Sequence, residues 1–112
     1  GFTPSRVNTV DYITIASTGD ATNFGDLTTT AEGGSGCSSS TRAIRAGGST
    51  GSHVNVIDYA EIATAGNYLD FGDLPQIVYN GPDGVSNGTR GIFAGGSRAG
   101  NSGVSRLEKE EI

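Results

Sequence analysis

The chain repeats itself. Residues 1–27 align without a gap on residues 48–74, with 14 of 27 positions identical, among them Val7/Val54, Asn8/Asn55, Asp11/Asp58, Tyr12/Tyr59, Ile15/Ile62 and the whole Phe-Gly-Asp-Leu block. Thr41–Ser49 aligns on Thr89–Ser97 one residue further along, with seven of nine identical, which places an extra residue around Gly84–Gly88. Val104–Glu108 is a fading third copy of Val54–Asp58, with Ile112 where Ile62 would fall. A period near 47 residues in a chain of 112 constrains the fold severely. Each unit is too small to bury its own apolar face and must stack on its neighbours. The reading is one repeat domain over residues 1–112, with a partial first repeat (1–40), a second (41–88) and a partial third (89–112).

Within a period the pattern is β. Arg90–Ala94 is short and apolar and stops at Gly95-Gly96, as Arg42–Ala46 stops at Gly47-Gly48; paired glycines end or bend a strand. Val54–Ala63 alternates with bulk on both faces, as a strand covered on two sides would. Turns are expected at Ala65-Gly66-Asn67, at Phe71-Gly72-Asp73 and at Asn80–Gly84, with a strand over Leu74–Tyr79. The first-period equivalent, Leu27–Cys37, is a poorer strand. Helix should be nearly absent, Leu107–Ile112 being the one stretch with helical spacing.

Composition narrows the function classes. Gly, Ser, Thr and Asn make up 50 of the 112 residues, and there is no Trp or Met, so a thick core of long helices cannot be built. With seven Lys and Arg against twelve Asp and Glu, a net charge of −5 argues against nucleic acid as a partner. No apolar run approaches the length of a membrane-spanning helix. Cys37 is the only cysteine and His53 the only histidine, so no internal disulfide or thiolate cluster is possible, and no nucleophile–base pair suggests itself. The chain opens on Gly1, which reads as processing or as an excerpt of a longer chain.

The Gly-Gly doublet after a short strand, then Asn55-Val56-Ile57-Asp58-Tyr59, then an aromatic, resembles the kelch-type blade of β-propellers. That resemblance implies an all-β fold of kelch-like blades at Arg42–Leu74 and Arg90–Ile112, with Gly1–Leu27 a copy lacking its first strands. About two blades and a partial one make a partial ring or an oligomeric one. Phe24 and Phe71 stand where kelch blades carry Trp, and the Tyr-to-aromatic spacing of 12 is longer than theirs. The strings TRGIFAGGS, NTVDYITIASTGDATNFGDL and GCSSSTR also resemble Gly-rich repeats of tail-fibre and other virion proteins of tailed phages, cyanophages especially. This second resemblance implies a non-enzymatic virion module, at the virion surface or extracellular, that binds a host-surface glycan or another virion protein. The alternatives are a two-blade lectin trimerising into a six-bladed ring, and a pure fibre scaffold. The expected partner is the chain itself or further repeats of a longer chain, with a possible glycan and no cofactor.

Candidate residues follow from the repeat. Arg42 and Arg90 each open the Gly-Gly strand, and Asp11 and Asp58 lie in the strand that follows. They read as a structural Arg–Asp pair tying strands together, or as arginines lining an opening that takes an anionic glycan or carboxylate. Tyr68 and Tyr79 are unique to one period and sit near expected turns, so they are the candidate exposed rings for a sugar face. Tyr12 and Tyr59 are repeat-equivalent and read as packing residues. In the Phe24-Gly25-Asp26 and Phe71-Gly72-Asp73 blocks, Phe is expected to plug between repeats, Gly to take a positive φ and Asp to cap the turn. Asp20/Asn23/Asp26 and Asn67/Asp70/Asp73 are too sparse for a calcium loop. No catalytic set and no metal site is expected, and Asn87-Gly88-Thr89 is a short sequon.

Overall fold

The computed structural model describes residues 3–79, 83–98 and 110–111, and every regular element among them is a strand. In chain order these are β1 (Thr9–Tyr12), β2 (Thr22–Asp26), β3 (Ser35–Ser38), β4 (Arg42–Ala46), β5 (Val54–Glu61), β6 (Leu69–Tyr79), β7 (Asp83–Ser86), β8 (Gly91–Ala94), β9 (Ser97–Arg98) and β10 (Glu110–Glu111). The fold is all-β. β3, β4, β5 and β6 form an antiparallel meander in sequence order, with β9 on its far edge; β1–β2 is a hairpin, and β7–β8 is extended by β10.

The strands obey the sequence period. β1 and β2 lie 47 residues before the middle of β5 and the start of β6, and β3 lies 48 before β7. The same inter-repeat contact forms twice: Glu32 bridges Ser49, and 47 to 48 residues on Tyr79 pairs with Ser97. The Gly-Gly corners are also reproduced, with φ of 73° and 106° at Gly47 and Gly48 against 78° and 99° at Gly95 and Gly96. Side chains rarely adopt such angles, and a Cβ on Gly48 would stand 2.7 Å from the Glu32 carbonyl oxygen.

Several expectations are revised. Phe71-Gly72-Asp73 and Phe24-Gly25-Asp26 are not turns; each lies within a strand, β6 or β2. β6 runs through two register shifts against β5, one at Phe71, between the Ile57–Gly72 and Asp58–Asp70 pairs, and one where Asp73 and Val78 face Val56 and Val54 and the strand between them holds Pro75. Proline has no N–H to give the ladder, and the Asn55 amide donates to the Leu74 carbonyl there at 3.2 Å. Asp83 and Gly84 belong to β7 rather than a turn, so the change of offset from 47 to 48 falls between Tyr79 and Asp83, ahead of Gly84–Gly88. Glu110–Glu111 is strand, not helix, and its register sets Glu110 opposite Phe93 as Asp58 sits opposite Arg45. The third copy is therefore in register two residues later than Glu108, which with Val104 lies outside the described residues.

The core sits between repeats. Ala46, Ile57, Leu74, Val78 and Phe93 form the buried cluster, with Cys37 and Ile44 packed against it. Phe93 enters from β8, so the third repeat supplies the ring that fills the face of the second. Close approach requires glycine: a Cβ on Gly84 would overlap the Gly36 carbonyl oxygen, and one on Gly91 would stand 2.9 Å from Cys37 Sγ. The Ser86 hydroxyl donates to the Ser38 carbonyl across the same seam.

Candidate inter-repeat groove

Two matching turns bring the arginines together. In the β3–β4 turn, Ser39 Oγ accepts from the N–H of Thr41 (3.2 Å) and Arg42 (3.1 Å). In the β7–β8 turn, Asn87 Oδ1 accepts from the N–H of Thr89 (3.0 Å) and Arg90 (2.8 Å). Ser and Asn do the same work, since both place an acceptor oxygen two or three residues ahead of their own backbone. Each turn delivers an arginine at the foot of its strand. Between the two hairpins lies an open groove of about 400 Å³ whose walls include Arg42, Arg90, Thr41, Thr89, Ser39, Glu61 and Phe71.

Arg42 is held in place on two sides. Its Nε donates to Glu61 Oε2 at 3.0 Å, directly across the β4–β5 ladder, and its guanidinium lies 4.4 Å from the Tyr59 ring centroid. Both partners of the ion pair are well exposed, so the pair contributes under about 1 kcal/mol and mainly fixes orientation. Cys37 lies on the groove wall, half-buried, and burial raises its thiol above the ordinary range. It is a poor nucleophile there.

The Arg–Asp pairing differs from expectation. Asp58 is fully buried, and its partner is Arg45, at 2.8 Å, not Arg42. The reason is strand polarity: successive β4 residues point to opposite faces, and Arg45 shares the face of Asp58, its cross-strand neighbour. Thr28 completes the cluster, its N–H (3.0 Å) and hydroxyl (2.7 Å) both donating to Asp58 Oδ2. This ties the segment after β2 to the meander. Asp11, the equivalent of Asp58, is exposed.

The tyrosines also sort differently. Tyr68 is half-buried rather than exposed, and its N–H donates to the Asp26 carbonyl at 2.8 Å. Burial and the Asp58 charge push its phenol up, while Arg45 partly offsets them. Tyr79 ends β6 opposite Ser97, at the seam rather than in a turn; its side chain lies outside the described residues. Tyr68 does not line the groove. Tyr12 and Phe24, and again Tyr59 and Phe71, meet edge-to-face at 5.9 Å, which accounts for the spacing of 12. Phe71 is 41% exposed and forms part of the groove wall instead of plugging between repeats. Gly25 is needed for close approach, since a Cβ would overlap the Gly66 carbonyl, and Asp26 ends a strand, its backbone carbonyl accepting from the Tyr68 N–H, so there is no turn for its side chain to cap. Glu61, Phe71 and Thr41 were not legible as groove residues, because their meeting depends on strand register and on the stacking of one hairpin over the other.

No family model matches the chain, and no curated protein matches it.

Proposed function

We propose that the chain is a non-enzymatic binding module of kelch-like propeller blades, borne on a phage tail fibre or another virion surface, and that its inter-repeat groove recognises a host-surface glycan. The blade reading is supported by the four-stranded meander β3–β6, by its Gly-Gly corner, and by a period that recurs in both sequence and hydrogen bonding. The observation that carries the binding reading is the groove itself. It sets the two repeat-equivalent arginines, Arg42 and Arg90, beside an aromatic edge, Phe71, and a row of hydroxyls. Sugars offer both apolar faces and dense hydroxyls, and uronic or sialic residues add a carboxylate that a guanidinium fork matches. The virion setting rests on the resemblance of the Gly-rich strings.

The test is a glycan array probed with the native chain and with the double variant Arg42→Ala/Arg90→Ala. Binding to carboxylated glycans, weakened at least tenfold in the variant, is expected. Binding to no glycan, or binding that the double variant retains in full, overturns the glycan reading.

A further inference from the structure

The β3–β4 and β7–β8 hairpins each carry, on their outer faces, one half of a seam that already exists once between them. Internally, the β7–β8 hairpin lays Gly84, Ser86, Gly91 and Phe93 on the face of β3–β4 that carries Cys37, Ile44 and Ala46. The opposite face of β7–β8 presents Val85, Ile92 and Ala94, which occupy the positions of Cys37, Ile44 and Ala46 one period on. Val85 is 61% exposed. The far face of β3–β4 presents Gly36, Ser38 and Ala43 at the positions of Gly84, Ser86 and Gly91, and Gly36 and Ser38 are exposed. On the receiving face Ile92 and Ala94 are half-buried beside the exposed Val85, and on the inserting face Ala43 is half-buried beside the exposed Gly36 and Ser38.

We propose that a second copy of this chain docks head to tail, its β3–β4 hairpin seated on the β7–β8 hairpin of the first. Gly36 of the incoming copy approaches the Gly84 backbone as Gly84 approaches Gly36 internally, and the Ser38 hydroxyl donates to the Ser86 carbonyl. Ile92 and Ala94 receive the hairpin as Ile44 and Ala46 do. The new seam is weaker than the internal one for two reasons. Ala43 carries a methyl where Gly91 has none, and Arg45, already bonded to Asp58, stands where Phe93 fills the core. The incoming β1 falls on the register β10 holds beside β8, with Asp11 opposite Phe93 and Tyr12 opposite Ile92, so the two-residue β10 ladder yields to it. The contact joins two different faces, so it propagates into a ring if the rotation closes and into a fibre if it does not. It does not depend on the groove binding a glycan.

Light scattering on the native chain across a wide concentration range tests this, together with two variants at exposed sites. Ser38→Lys spoils the inserting face and Val85→Lys the receiving face, and neither side chain is in the core. The native mass is expected to rise with concentration from one chain to two or more, while each variant stays at one. An equimolar mixture of the variants retains one good face of each kind and should reach two chains and stop. A native chain that remains monomeric throughout overturns the proposal. So does assembly of either variant alone, or a mixture with no two-chain species.

Discussion

Asp58 and Arg45 show what one buried position demands. Asp58 is 0% exposed, and its Oδ2 takes the Arg45 guanidinium and both Thr28 donors, while Oδ1 is buried with no hydrogen-bond partner among the described residues. A carboxylate out of water survives only while its partners stay, so Asp58→Ala, which strands the Arg45 charge, should cost about 3–5 kcal/mol. Replacing both partners is a different matter. The chain itself places Phe93 where Arg45 stands one period earlier, and Phe93 is fully buried. Arg45→Phe with Asp58→Val should therefore recover most of the loss, read as a urea midpoint well above that of Asp58→Ala. Tyr68 adds a pH signature. Its folded phenol titrates above the ordinary 10.0, mainly because of burial, so the stability it contributes is complete below that value and is lost as pH rises through the raised one. Tyr68→Phe should flatten the alkaline fall in stability; an unchanged slope would place the loss elsewhere.

At the scale of elements, the turns decide where the arginines go. Asn87 and Ser39 cap equivalent turns through a side-chain oxygen, so Asn87→Ser should be near neutral, whereas Asn87→Ala should cost about 1 kcal/mol. Denaturant midpoints with an unchanged m-value would check both. These turns also show how much was legible in sequence. The period, the all-β class, the Gly-Gly corners and the approximate spans of β4, β5 and β8 follow from residue patterns that are local. Phe71-Gly72-Asp73 misleads for a local reason as well, since Gly-Asp signals a turn, yet β6 absorbs the irregularity as extra residues at register shifts on either side of its pairs with Val56 and Ile57. The Arg45–Asp58 pair and the Arg42–Glu61 contact are non-local. They depend on which β4 residue falls opposite which β5 residue, and a one-residue slip would exchange the two arginines between faces. Arg42 and Arg90 could be singled out by their repeat, but the groove between them could not, because one hairpin must first be stacked on the other.

For the whole molecule the central residue is Phe93, since it joins the third repeat to the core of the second. A stacked array is stabilised by each repeat and by each seam, so a seam can be weakened selectively. Phe93→Ala removes the only aromatic ring in the cluster of Ala46, Ile57, Leu74 and Val78 and should cost about 3–5 kcal/mol. If the loss is confined to the seam, β7–β8 opens while the meander remains. Hydrogen exchange should then show the Ile92 and Phe93 amides losing protection by orders of magnitude, with those of Ile44 and Arg45 nearly unchanged. Thermal melting should broaden into two phases. A parallel loss of protection in both ladders would instead show that the repeats fold as one cooperative unit. The groove couples this stability to recognition, because its walls come from both hairpins. Phe93 does not itself line the groove, yet a chain whose β8 has opened holds Arg90 away from Arg42. Phe93→Ala should accordingly weaken any groove ligand in proportion to the fraction opened, and Phe93→Leu, which refills most of the volume, should restore both protection and binding.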